Sequence, residues 1–389
     1  MDLNWSPEDS EFRERVRAWL ADNVPQGPRP AGAEAVAFDR AWQATLKQGG
    51  WAGIAWPTEY GGQGLSLTQQ MIWFEENAKA GAPSAGVFFV AQMHAGPTLI
   101  VMGSEAQKAK HLNGILGGEE IWCQGFSEPG SGSDLASLRT KGVVDGDAIV
   151  VSGQKIWTSF ADAADYQELL VRTEPGSERH AGLSWVICDM RAPGITVHPI
   201  RKLTGHAEFA SVFYDEVRIP LSNVVGEVGQ GWKTAMATLG FERGTAFTAE
   251  MVHLVLRLEE LIEYAKSHPL PGAVRPAWSD DECRRTLSRL RADLAALRAM
   301  NYANLSRYAG GAAPGAEGSL VKLFTNQLAQ RLERVAIDMM ATRLLDPGST
   351  EQAWLDAYYR SIVQAIGGGT VDIQREIIAD RVLGLPRSR

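Results

Sequence analysis

The chain has 389 residues, 45% of them apolar, with a net charge of −8 and a pI near 5.5. That length supports two or three domains around real cores and excludes a small scaffold stapled by disulfides or metal. The acidic balance, without a long block of like charge, argues against nucleic acid or an anionic membrane as the main partner.

The opening MDLNWSPEDSEFRER has no apolar signal core, and no later run approaches the roughly 20 apolar residues of a membrane span. A cytoplasmic, unanchored protein is expected. Behind the start signal SPED, Phe12, Val16, Trp19 and Leu20 recur at helical spacing and predict an amphipathic helix. Helical patterns continue to about Glu120, broken by WPTEYGGQG and AGAPSAG. The period then changes. AIVVSGQKIW, ELLVRT, LSWVICDM, ITVHPI and FASVFYDEV are short, rich in β-branched and aromatic residues, and punctuated by Gly, Pro or Asp, which predicts strands. From about Gly231 the helical period returns. Leu287, Leu290, Leu294 and Leu297 mark one apolar stripe, and Leu320, Leu323, Phe324 and Leu328 mark another beyond a helix–helix loop at Gly310 to Gly318. The expected fold class is α+β, in three domains: helical over 1–122, a β-sandwich or barrel over 123–230, and a helical bundle over 231–389. The three cysteines, Cys123, Cys188 and Cys283, have no CxxC spacing, so neither a zinc site nor a disulfide frame is expected.

The densest chemistry lies in WCQGFSEPGSGSDLASL. Its small residues let backbone approach a ligand, and its hydroxyls and N–H groups offer hydrogen bonds to a phosphate or a flavin edge. Its glycines fit neither a P-loop nor a dinucleotide fingerprint, and by composition alone a plain surface loop remains open. A second dense stretch closes the chain: AIGGGTVDIQREIIADRVLGLPR sets Gly367, Gly368 and Gly369 before a threonine and an amphipathic helix.

Six segments, in order and near the expected spacing, give the chain a resemblance to the acyl-CoA dehydrogenase family: FRERVRAWL, WPTEYGGQGLS, GFSEPGSGSDLASL, GQKIWTS, GWKTAMATLGFER and GGTVDIQREIIADRVLGLPR. The resemblance spans nearly the whole length and implies helical, β and four-helix-bundle domains with a bound FAD. It implies flavin contacts at Gln124, Phe126, Ser127, Gly132 and Ser133. It further implies Trp157 packing on the flavin, Ser159 bonding flavin N5, and FAD contacts at Thr370 and Asp372. For Trp157 the residues alone leave another reading open, a strand aromatic in the β core.

In many relatives a glutamate just before the G-T of the last segment takes the substrate's α-proton, and here that position is Gly368. Other members carry the glutamate before an arginine on a helix of the third domain, which falls on Glu242 and Arg243. The resemblance therefore implies Glu242 as base, with Arg243 orienting the helix or the CoA arm. An ordinary ion pair is the competing account of that dipeptide. Gly368 keeps its backbone N–H, the family's donor to the thioester oxygen, and needs no side chain for that task.

The implied reaction converts an acyl-CoA to its trans-2-enoyl-CoA and passes electrons to an electron-transfer flavoprotein, with no metal. Two positions depart from the family. The glycine-rich clasp expected near 340–350 reads ATRLLDPGSTEQ, and the adenine-contacting positions reduce to Arg275 beside Trp278. These departures favour work beside a paralogue, as in heteromeric members linked to steroid side-chain degradation, so a heterotetramer stands beside a homodimer or homotetramer. A half-site or non-catalytic subunit, and a flavin oxidase or monooxygenase on the same fold, remain as alternatives.

Overall fold

The computed structural model describes residues 5–241, 246–310, 315–346 and 348–386. Its helices, in chain order, are α1 (Pro7–Asn23), α2 (Ala33–Gln48), α3 (Leu67–Lys79), α4 (Gly96–Met102), α5 (Glu105–Gly117), α6 (Gly231–Phe241), α7 (Ala246–Ser267), α8 (Asp281–Ala309), α9 (Glu317–Met340), α10 (Gln352–Gln364) and α11 (Val371–Ile377). Between α5 and α6 run the strands β1 (Trp122–Gly125), β2 (Lys141–Asp145), β3 (Ala148–Ser159), β4 (Tyr166–Arg172), β5 (Leu183–Asp189), β6 (Ile195–Ile200) and β7 (Phe209–Pro220). Packing divides the chain into two units, one of residues 1–22, 66–82 and 243–389, the other of residues 23–65 and 83–242.

The first unit is helical. Ser6 caps α1 by accepting from Asp9 N at 3.0 Å, with Pro7 in the first turn, where a missing N–H costs nothing. Ser66 and Gln69 form a reciprocal capping box at the start of α3. Phe12, Val16 and Leu20 are buried as their spacing predicts, while Trp19 is half-buried and tilts against Trp73. The α8 stripe Leu287, Leu290, Leu294 and Leu297 is core, packed with Leu254, Leu258 and Leu261 of α7. On α9 the expected stripe is displaced. Leu320, Leu323 and Phe324 are half-buried, and the fully buried row is Val321, Thr325, Leu328, Leu332 and Ala336. This helix offers apolar residues on adjoining faces, and its neighbours α7, α8 and α10 select between them.

The second unit is built on a seven-stranded sheet in the order β1-β4-β2-β3-β7-β6, with β5 paired to β4. All five expected strands are present, and β1 and β2, each of five residues or fewer, join them. Most pairings are antiparallel, but β1 runs parallel to β4, Trp122 opposite Tyr166. Val151, Val212, Val217, Ile149 and Leu169 fill one core of this unit, and Trp122, Trp185, Leu170 and Ile187 fill another.

Candidate active site

Among the described residues, those that the sequence singles out fall on β1, the loop after it and the end of β3 in the strand-containing unit, and on the glycine stretch, the start of α11 and the α7–α8 connection in the helical unit. In the strand-containing unit, β1 leads into a tight turn closed by Glu128 N to Ser131 O (2.9 Å) and Ser131 N to Glu128 O (3.0 Å). Under it lies Lys155, fully buried on β3. Its ammonium donates to Phe126 O at 3.0 Å and to Glu128 Oε1 at 2.8 Å. The Glu128 carboxylate also accepts from the N–H groups of Arg139 (2.7 Å) and Thr140 (2.8 Å). Burial pulls the Lys155 pKa down to about 8, against the attraction of Glu128. Burial alone would raise the Glu128 carboxyl, but the Lys155 charge and the donated hydrogen bonds take it below its ordinary value.

Gly130 and Gly132 lie in this loop without positive φ, and a Cβ on either would meet nothing within 4 Å. Neither backbone strain nor packing in the described chain demands glycine there, and the bare backbone leaves room for close approach. Ser133 follows, exposed. Phe126 is core, so it offers a ligand only its backbone. Half-buried Gln124 donates through Nε2 to Glu168 Oε1 at 2.8 Å, with His94 Nδ1 at 3.2 Å, which leaves its own oxygen as the acceptor for a ligand. Ser127 O accepts from Ile156 N at 2.9 Å and ties the loop to β3.

β3 then departs from regularity. Lys155 stands opposite Val212 and Thr158 opposite Ala210, so one extra residue is accommodated on β3 between them. Trp157 takes φ 60° and is turned outward, 57% exposed, its ring edge-on to Phe209 at 6.1 Å. The reading of Trp157 as a core aromatic is overturned, because the bulge breaks the alternation that would have pointed it inward. A tryptophan in left-handed backbone stores strain of about 1–3 kcal/mol, of the kind kept at ligand sites. Ser159, half-buried, closes the strand opposite Phe209. A flat aromatic cofactor fits these residues: a loop open to close approach, an acceptor at Gln124, hydroxyls at Ser127 and Ser159, and an indole face held out.

In the helical unit the glycine stretch follows α10. Gly367 N still donates to Val363 O at 3.0 Å, whereas Gly368 and Gly369 turn to φ 64° and 95°, backbone that favours glycine. Lys322 of α9 donates to Gly367 O at 2.8 Å and also to Gly368 O. Buried Gln374 of α11 donates to Gly368 O (3.4 Å) and Gly369 O (3.2 Å). The N–H groups of Gly368 and Gly369 donate to nothing among the described residues. Thr370 uses its hydroxyl to cap α11, accepting from Ile373 N at 3.2 Å, and Asp372 is exposed and paired with Arg375 at 3.1 Å. Arg275 is exposed on the α7–α8 connection, and Trp278 beyond it leans on the helical core. Glu242 and Arg243 lie outside the described residues, directly after α6.

Sequence reasoning missed Lys155, Glu128, Lys322 and Gln374 as supports. One signal was readable: Lys155 is in phase with inward-facing Ile149 and Val151, and a lysine on a buried strand face requires a partner. Two cavities elsewhere, about 390 Å³ beside Tyr60 and Lys108 and about 640 Å³ beside Arg331 and Tyr358, contain none of the residues expected at the flavin or the reacting atoms, although Tyr60, Gly61 and Gln63 of the WPTEYGGQGLS segment line the first.

Helical segments before and after a β domain in the chain are the order found in a class of cofactor-dependent dehydrogenases. The chain matches the acyl-CoA dehydrogenase N-terminal domain over residues 6–119, the middle domain over 123–217 and the C-terminal domain over 229–383. It is 40% identical over 388 residues to "Acyl-CoA dehydrogenase IpdE1" of Mycobacterium tuberculosis, covering 97% of this chain and 98% of that one. Among solved structures, "Tcur3481-Tcur3483 steroid ACAD" superposes with a TM-score of 0.87 at 32% identity, and the ChsE4-ChsE5 complex from Mycobacterium tuberculosis with 0.85 at 32%, each covering 100% of both chains. The chain belongs to the acyl-CoA dehydrogenase family and is an enzyme of that kind, with the family's helical, β and helical fold. The family is typically FAD-dependent. No helix among the described residues is long and apolar enough to cross a membrane.

Proposed function

We propose that this chain catalyses FAD-dependent α,β-dehydrogenation of an acyl-CoA whose acyl group is steroid-derived. The observation that carries the flavin reading is Trp157, held outward at φ 60° beside a loop whose Gly130 and Gly132 have no internal reason to be glycine. The ring-bearing substrate rests on the steroid ACAD among its structural relatives. Gln124, Ser127, Gly132, Ser133, Trp157 and Ser159, with the backbone of Phe126, are assigned to the isoalloxazine and the pyrophosphate of FAD. Thr370, Asp372 and Arg275 are assigned to the rest of the cofactor. When bound, FAD supplies the hydride acceptor for the substrate's Cβ.

The chain's own part is proton chemistry and charge stabilisation. The Glu242 carboxylate takes the proton from Cα as the double bond forms, and the Gly368 N–H donates to the thioester oxygen on which charge builds. Arg243 orients the base's helix or the CoA arm. Trp157 covers the reacting face against water. Electrons leave to an electron-transfer flavoprotein in the cytoplasm, and the functional division remains 1–122, 123–230 and 231–389.

A second reading is favoured by a specific observation. Ile362, Val363, Ile366, Leu383 and Leu385 of the helical unit are exposed, more apolar surface than an isolated bundle leaves bare, and two structural relatives are named as pairs of chains. The chain therefore works as an oligomer, with a paralogue completing the half lacking the usual clasp at 340–350. A half-site subunit would bind FAD or turn over only with that paralogue.

The test is Glu242→Gln in FAD-loaded protein, alone and with a coexpressed paralogue, against a panel of straight-chain and steroid-derived acyl-CoAs. Flavin bleaching by the best substrate should fall by about 10²- to 10⁴-fold while FAD and product analogues still bind. Bleaching at the parental rate removes Glu242 from the mechanism. Protein that never takes up FAD in either preparation removes the flavoenzyme reading, and flavin reoxidation by oxygen at the turnover rate makes the chain an oxidase.

A further inference from the structure

Gly368 and Gly369 carry two consecutive left-handed φ angles, and their peptides are not free to rotate. A planar trans peptide sets its C=O and N–H on opposite sides. The Lys322 ammonium gathers the carbonyls of Gly367 and Gly368, one at 2.8 Å, so the N–H groups of the same two peptides, those of Gly368 and Gly369, face away from it. Gln374, 3% exposed, holds the carbonyls of Gly368 (3.4 Å) and Gly369 (3.2 Å) from α11. A glycine pair without such clamps would sample many backbone states, and an N–H sampling many directions is a poor preorganised donor. A cation bonded to the carbonyl end of a peptide also polarises it, making the N–H at the other end a stronger donor.

We infer that Lys322 and Gln374 are positioning residues of the thioester-oxygen site: Lys322 locks the two peptides that carry the Gly368 and Gly369 N–H groups, and Gln374 braces the second of these and the peptide after it, so that the Gly368 N–H, with the Gly369 N–H beside it, is aimed and strengthened as a donor. Neither side chain touches the reacting atoms in this account. Both act through the glycine backbone, which takes the place of the glutamate-bearing backbone that many relatives have there. The inference rests on the reading of the Gly368 N–H as donor to the thioester oxygen, and its test separates the two.

The experiment uses the FAD-loaded full chain, with its paralogue if one is needed for turnover, as parent, Lys322→Met and Lys322→Arg. Steady-state kinetics are paired with infrared difference spectra of bound but-2-enoyl-CoA labelled with ¹³C at the thioester carbonyl, whose stretch falls as hydrogen bonding polarises it. Lys322→Met should lower kcat by about 10- to 10²-fold, less than outright loss of an oxyanion donor, and move KM by less than about threefold. The carbonyl band, lowered in the parent, should move back toward its solution position, and Lys322→Arg should restore most of both. If Lys322→Met does not fold, Gln374→Met releases the adjoining peptides of Gly368 O and Gly369 O and should move band and kcat in the same direction by a smaller amount. An equally lowered band with unchanged kcat in the Met variants overturns the positioning role and leaves Gly368 as donor. A band unshifted in the parent overturns the donor reading itself, and the inference with it, whatever Glu242→Gln shows.

Discussion

The loop after β1 and the glycine stretch after α10 are both small-residue backbone assigned here to ligand contact, yet they are stiffened in opposite ways. The first is fixed from inside, by a fully buried ammonium bonded to Phe126 O and to a carboxylate that in turn holds two N–H groups. The second is fixed from its rim by Lys322, a half-buried lysine, and by one buried amide. An internal clamp joins the loop's order to the stability of the whole unit, because breaking it strands a charge in low dielectric. A rim clamp leaves stability nearly untouched and confines its effect to where a few N–H groups point. The contrast teaches that the loop after β1 is a folding element, whereas the glycine stretch can be tuned without unfolding the protein.

The sharpest way to break this contrast is Lys155→Met. It leaves the Glu128 carboxylate buried and uncompensated, so unfolding free energy should drop by about 3–5 kcal/mol, with FAD lost in parallel. Adding Glu128→Gln should recover part of it. A loss below about 1 kcal/mol in denaturant titration would show that the loop is ordered by other means. The same pair gives a pH signature. Lys155 holds its proton to about 10.5 in the unfolded chain and to about 8 in the fold, so between those values the unfolded state binds more protons. Its contribution to stability therefore rises with pH across that window and is smallest below it. Unfolding curves at several pH values should show the rise in the parent and not in Lys155→Met.

Gly368→Ala is expected to cost less, about 1–2 kcal/mol, the penalty of a Cβ at φ 64°. It keeps the N–H, so retained FAD with a modest fall in kcat sharpens the comparison; FAD loss as complete as in Lys155→Met erases it. The strain at Gly368 also explains in advance a poor rescue by a glutamate placed there.

The smallest effect on stability is expected from Trp157→Gly. Release of left-handed strain offsets the loss of an already exposed ring and the freedom glycine gains on unfolding, so apo stability should change by no more than about 1 kcal/mol. FAD retention should fall all the same. A stability loss of several kcal/mol would return Trp157 to the core and remove the argument that its strain serves a ligand.

Much of the fold was legible because periodicity records which face is buried. The heptad-like leucines of α8 and the partial alternation of β3 and β7 are physical consequences of one-sided burial, whereas β4 and β5, buried on both faces, were legible only as short β-branched and aromatic runs between turn residues. β1 and β2 escaped because four and five residues are too few to display a period. The α9 stripe was misread because apolar residues adjoin on two faces and only the neighbouring helices choose between them. The reaction family, too, was visible in six ordered motifs.

What the sequence by itself determined, then, is composition-level and periodic: an acidic, multidomain α+β chain, most of its strands and helices in order, and the small-residue segments at which ligand contact is proposed. Tertiary structure alone decided the outward turn of Trp157, which depends on a one-residue bulge against β7, and the clamps on both loops. Lys155 and Glu128 are 27 residues apart, and Lys322 and Gly368 are 46 apart. Local sequence pattern reports which side of an element is buried. It carries no record of which distant carbonyl a buried ammonium will find, because that choice is made by the packing of elements whose own positions are not local.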